Sequence, residues 1–155
     1  MKAMKAREIM TASPVAVKPG DTVQRAADIM RELNIGAVPV VEDLTSNRLA
    51  GIITDRDITV RCTAMGHTPT CFVRQHMTPT PLQTIHPDDD VSEIFEEMER
   101  AQVRRIPVVT PEGILVGIIA QADLATKVGP AQPGKIEELL EYVSASGPAV
   151  PVARA

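Results

Sequence analysis

No tryptophan occurs among the 155 residues, and Phe72, Phe95 and Tyr142 are the only aromatic side chains besides histidine. Base stacking therefore has almost nothing to work with. A net charge of −4 offers no cationic face to a polyanion either, which argues against nucleic acid as the primary partner. Cysteine is scarce: Cys62 and Cys71 cannot build the disulfide framework of a secreted mini-protein, and in a reducing compartment both are expected to be thiols. Nowhere does the chain approach the roughly 20 uninterrupted apolar residues of a membrane-spanning helix, so no membrane partner is expected. The basic start, Lys2, Lys5 and Arg7, has no apolar run behind it and does not read as a secretory signal, so the expected location is cytoplasmic. Catalytic signatures are missing as well. Ser13, Ser46, Ser92, Ser144 and Ser146 lie in no nucleophile-elbow pattern, and no Walker-type glycine loop occurs, so the reading is not an enzyme.

What the chain does have is a composition suited to folding, 44% hydrophobic and 23% charged, in a length fit for one domain or two small modules sharing a core. It also repeats itself. Ile9-Met10-Thr11-Ala12-Ser13-Pro14-Val15 returns as His76-Met77-Thr78-Pro79-Thr80-Pro81-Leu82. The run from Val23 through Gly36-Ala37-Val38-Pro39-Val40-Val41 returns as Val91 through Arg104-Arg105-Ile106-Pro107-Val108-Val109. Gly51-Ile52-Ile53-Thr54-Asp55-Arg56-Asp57-Ile58 returns as Gly117-Ile118-Ile119-Ala120-Gln121-Ala122-Asp123-Leu124.

Within each copy, local chemistry predicts the elements. Asp21 or Thr22 can cap a helix whose buried stripe is Val23, Ala26, Ala27, Met30 and Leu33, and Asn34 and Gly36 tolerate the left-handed stop. In the second copy Asp89 or Asp90 is the cap, in an acidic cluster suited to a helix start, and Val91, Ile94, Phe95 and Met98 form the stripe. Residues 37–41 and 49–54 are apolar and β-branched, as strands covered by helices are, with Asn47 in the turn between them. A helix is expected over 55–65, ended by Gly66, with a counterpart over 122–128 ended by Gly129. Each copy is thus β-α-β-β-α, and the expected fold is mixed α/β (α+β), two pseudo-symmetric units packed sheet to sheet. The divisions are 7–68, 69–129 and a remainder, 130–155, holding a linker, an amphipathic helix over 135–143 and a mobile tail.

These ordered, duplicated motifs, spanning Arg7 to Val128, resemble a tandem pair of CBS domains, also called a Bateman module. The run Thr54-Asp55-Arg56-Asp57-Ile58 is similar to that of small stand-alone bacterial pairs, including the hypoxic-response type. The resemblance implies a regulatory, signal-transducing module, in an energy-sensing or stress-response setting, that binds AMP, ATP, NAD or another adenosyl compound between the repeats. It also implies a homodimer, with a regulated partner protein as a further associate.

It assigns ribose to Asp57 and phosphate to Thr54 and the helix-start N–H groups, roles that an ionised carboxylate and a strand-to-helix turn can physically fill. Asp123 is the second-copy counterpart, with Ala120 where Thr54 has its hydroxyl. Candidates against the adenine are Val17, Ala37, Val38 and Pro39. Arg104 and Arg105, matched by Gly36 and Ala37 in the first copy, are candidates for phosphate. The plainer alternative makes each Asp a cap worth about 1 kcal/mol and the arginines a solvated face.

A second constellation is Cys62, His67, Cys71 and His76, spaced C-x4-H-x3-C-x4-H. These are zinc-ligand types, yet the spacing matches no strong zinc pattern, and a buried Cys62 with ordinary linker residues explains it too. A rival overall reading is a ligand-free dimerisation or partner-binding scaffold, with a metal or redox element at Cys62 and Cys71.

Overall fold

A computed structural model describes residues 3–128; the expected Gly129 stop, linker, amphipathic helix and tail lie outside the described residues. Helix α2 (Val23–Leu33) starts where Thr22, rather than Asp21, accepts the backbone N–H of Arg25 through Oγ1 at 3.2 Å. It stops at Asn34, left-handed at φ 53°. Its repeat, α4 (Val91–Ala101), starts at Asp90, whose backbone N–H is held by Glu93 at 2.9 Å. That helix stops at Gln102, also left-handed at φ 54°, a residue type with no special ease there.

The buried faces are Val23, Ala26, Ile29 and Met30 on α2, and Val91, Ile94 and Met98 on α4. Leu33 departs from the expected stripe. It stands 50% exposed, on the side of α2 that faces a cleft rather than the core.

Strands β2 (Ala37–Val41) and β3 (Leu49–Thr54) pair antiparallel, as do β5 (Arg105–Val109) and β6 (Leu115–Ala120). The expected strand bounds hold in the first repeat. Each hairpin takes its third strand from the segment that opens the other repeat. β1 (Thr11–Ala12) pairs with β6, and β4 (Thr78–Pro79) pairs with β3. Short helix α1 (Ala6–Ile9) follows the same exchange, placing Ala6 and Ile9 among Ile85, Ile94, Ile106 and Ile119. The glycine that leads each copy of the Gly-Ile-Ile motif makes room for this crossing: a Cβ on Gly51 would lie 2.5 Å from the Thr78 carbonyl oxygen, and one on Gly117 would strike the Met10 side chain.

Each repeat has its own core, one around Val38, Val40 and Ile53, the other around Ile106, Val108 and Ile119. Fully burying one such isoleucine contributes about 1.5–3 kcal/mol. A third cluster, Val41, Leu49, Val109 and Leu115, joins the two hairpins. There Leu49 donates its N–H to the Gly113 carbonyl and Leu115 donates to that of Asn47.

The expected helix over 55–65 is present in a modified form. One turn, α3 (Asp55–Asp57), widens at once into π geometry over Ile58–Thr63, visible in the i to i−5 bond from the Ala64 N–H to the Thr59 carbonyl. Gly66 ends the segment at φ 73°. The second repeat does the same, with α5 (Gln121–Asp123) followed by a π turn over Leu124–Val128.

Candidate functional site

The C-terminal ends of β3 and β6 deliver two equivalent turns. In the first, Thr54 and Asp57 bind each other reciprocally: Thr54 Oγ1 accepts the Asp57 N–H at 3.1 Å, and Asp57 Oδ2 accepts the Thr54 N–H at 3.0 Å. Asp57 Oδ1 then lies 3.7 Å from Arg61 Nε, with only 14% of the side chain exposed. In the second turn Asp123 Oδ2 accepts the Ala120 N–H at 2.8 Å, and Oδ1 lies 3.8 Å from Lys127 Nζ. With Ala120 in the position of Thr54, the hydroxyl half of the reciprocal pair is missing.

A cleft of about 550 Å³ opens at this second turn. Its walls come from both repeats: Leu33, Ile35, Ala37 and Pro39 from the first, Arg105, Ile118 and Asp123 from the second, and Ser13 to Val15 from the segment after β1. Leu33, Ile35 and Val15 are 50%, 38% and 47% exposed, so the apolar rim is bare. Arg105 reaches across the repeats. A Cβ on Gly36 would stand 2.7 Å from Arg105 Nη2 and 3.1 Å from Asp55 Oδ2. Gly36 does not take the left-handed backbone that its place after the helix suggests; a side chain there would instead displace the guanidinium.

Of the residues singled out in the sequence, Ala37, Pro39, Arg105 and Asp123 meet in this cleft. Val17 and Val38 do not. Both are fully buried in the first repeat's core, because side chains alternate along a strand and the face carrying Ala37 and Pro39 cannot also carry Val38. Val17 lies between the neighbouring backbone groups instead, donating to the Pro39 carbonyl at 3.0 Å and accepting from the Val41 N–H at 2.9 Å. Thr54 and Asp57 stay at their own turn, outside this cleft, and Arg104 is exposed at the entry to β5. Sequence reasoning missed Leu33, Ile35 and Val15 as wall residues. Periodicity assigns Leu33 to the core, and nothing local separates a rim residue from a core residue.

Chemically, one carboxylate oxygen of Asp123 is occupied by a backbone N–H while the carboxylate retains lone pairs for hydroxyl donors. Across the cleft stand a planar cation and a set of apolar side chains. Such a place suits a ligand with a flat apolar part, a diol and an anionic group.

The cysteine and histidine constellation is partly assembled. One ligand atom each of His67, Cys71 and His76 lies within 4.8 Å of the others. His67 Nδ1 and His76 Nε2 are 3.4 Å apart, their rings tilted by 51°. His76 is 3% exposed, and burial, followed by the charges of His67 and Arg61, pushes its pKa below the usual histidine value. Cys62 is outside the group. Its thiol points to the carbonyls of His67 and Thr68 at 3.8 and 3.6 Å, and burial, with Cys71 adding to it, pushes its pKa up. Both cysteines are free.

A family model, that of the CBS domain, matches residues 6–62 and 73–129. The CBS domain-containing protein YhcV of Bacillus subtilis is 39% identical over 119 residues, 77% of this chain and 81% of that protein. Hypoxic response protein 1 of Mycobacterium tuberculosis is 38% identical over 120 residues, 77% of this chain and 82% of its own. A crystal structure of Hypoxic Response Protein I with two coordinated zinc ions superposes with a TM-score of 0.70 at 37% identity, covering 79% of this chain and 97% of that one. The CBS domain pair of protein MJ0100, solved with 5′-methylthioadenosine and S-adenosyl-L-methionine, gives 0.71 at 25% identity over 84% of this chain and all of its own. Among the described residues no helix is long and apolar enough to cross a membrane.

Proposed function

This chain belongs to the CBS-domain family, carrying two copies of the domain in tandem, and we propose that it is a non-enzymatic regulatory module binding an adenine nucleotide or adenosyl compound, such as AMP, ATP or NAD, in the cleft at Asp123. The observation that carries this reading is the meeting of Asp123, Arg105 and the bare apolar rim of Val15, Leu33 and Ile35 in one cleft built from both repeats. The adenosyl ligands of the MJ0100 pair support the ligand class.

In this assignment Asp123 accepts from the ribose hydroxyls, the apolar wall takes the adenine, and Arg105 takes the phosphate contact that Ala120, lacking a hydroxyl, does not supply. Thr54 and Asp57 form the corresponding ribose and phosphate pair of a second position in the first repeat. A ligand in the Asp123 cleft touches both repeats, so it favours whichever relative angle of the halves lets it reach both walls. That angle is the signal passed to a second copy of the chain or to a partner protein. The exposed Val60 and Met65 are apolar surface available to such contacts.

Calorimetry and thermal shift against a panel of AMP, ATP, NAD, S-adenosylmethionine and GTP test the reading. At least one adenine compound should bind and stabilise the protein while GTP does not. A protein that no adenine compound stabilises overturns it.

A further inference from the structure

From the ligand atoms that the fold brings together, we infer that His67, Cys71 and His76 form a zinc site, bound through His67 Nδ1, the Cys71 thiolate and His76 Nε2 with water completing a tetrahedron. The site is independent of the nucleotide cleft. Two nitrogens each about 2.0–2.1 Å from a tetrahedral zinc must stand about 3.3–3.4 Å from one another. The two ring nitrogens are already 3.4 Å apart. A nitrogen and a thiolate sulfur on the same ion stand about 3.5 Å apart. The trio lies within 4.8 Å, so moving the Cys71 side chain inward by about an ångström completes the set.

Two further observations bear on the ion. Exposure falls from His67 through Cys71 to His76, which gives an entry path from solvent and an open fourth position on the His67 side. Two imidazoles and one thiolate are the ligand types that zinc takes, and the thiolate offsets the nearby Arg61, whose Nη1 is 3.5 Å from the His76 carbonyl. Binding transfers the Cys71 thiol proton to solvent and forms the Zn–S bond, with no change of oxidation state. Cys62 is left out because its thiol faces the backbone carbonyls of His67 and Thr68.

The consequence is structural. The three residues lie along the connection between repeats, which is already tied to the start of α2: Val23 donates to the Cys71 carbonyl, and Val73 to that of Asp21. An ion there fastens the end of the first repeat to the segment leading into β4.

The test loads untagged full-length protein with zinc, dialyses it against metal-free buffer and measures metal by elemental analysis. Wild type and Cys62→Ser should retain about one zinc per chain, and Cys71→Ser and His67→Ala should lose at least about tenfold in occupancy. Cobalt(II) supplies a second readout: thiolate-to-cobalt charge-transfer absorption in wild type, absent from Cys71→Ser. His67 is exposed, so its variant should fold even if Cys71→Ser does not. Failure of wild type to retain zinc, or full retention by Cys71→Ser and His67→Ala, overturns the site and leaves the ring contact an ordinary hydrogen bond. Loss of zinc in Cys62→Ser overturns the ligand set.

Discussion

Replacing Asp123 by Asn changes one charge and little else, which makes its effect on nucleotide affinity calculable from the turn it occupies. In the wild type Oδ2 accepts the Ala120 N–H at 2.8 Å, and an amide oxygen can hold that bond equally well. The turn should therefore survive, with a stability change below about 1 kcal/mol. The other oxygen becomes an NH2 group, which cannot accept from a ribose hydroxyl. Hydrogen bonds to charged groups contribute about 1.5–3 kcal/mol, which translates to roughly 10- to 150-fold in affinity. Calorimetry with the best ligand of the panel should show that loss, with an unchanged urea midpoint. Asp57→Asn should leave one site of wild-type affinity, because Asp57 is outside the Asp123 cleft. An Asp123→Asn dissociation constant within about threefold of wild type would refute the ribose assignment.

Arg105→Gln should narrow the affinity gap between AMP and adenosine by about tenfold while leaving adenosine binding nearly unchanged, since only the phosphate meets the guanidinium; an unchanged gap removes Arg105 from the site. Gly36→Val should narrow the same gap, because its side chain would occupy the place where Arg105 Nη2 lies. Val38→Ala should cost about 2 kcal/mol in chemical denaturation and leave nucleotide affinity alone, as expected of a fully buried core residue. Ile119→Ala, equally buried at the centre of the second core, should cost about 2–5 kcal/mol by the same measurement.

The duplicated architecture was legible because it repeats: the strand at 37–41, the strand at 49–54 and both long helices follow from apolar periodicity and turn residues close in sequence. The exchange of β1 and β4 was not, since pairing Thr11 with Ile118 is a long-range choice that no local pattern encodes. Its trace was present all the same. Gly51 and Gly117 are glycine because the exchanged segments pass against them, a reason that emerges only once the strands are placed. Strand alternation would have separated Ala37 and Pro39 from Val38 without any coordinates. Sequence could not show that the open cleft falls at Asp123, since the motif looks more complete at Thr54 and Asp57. What decides it is the reach of Arg105 across to Gly36.

A crystal structure grown with the adenine compound that the panel ranks first is the most direct measurement. The account predicts density between Asp123 and Arg105, with both ribose hydroxyls within hydrogen-bond distance of the Asp123 carboxylate and the base against Leu33, Ile35 and Pro39. A ligand found only at Thr54 and Asp57, or on the outer surface with this cleft unfilled, would contradict it.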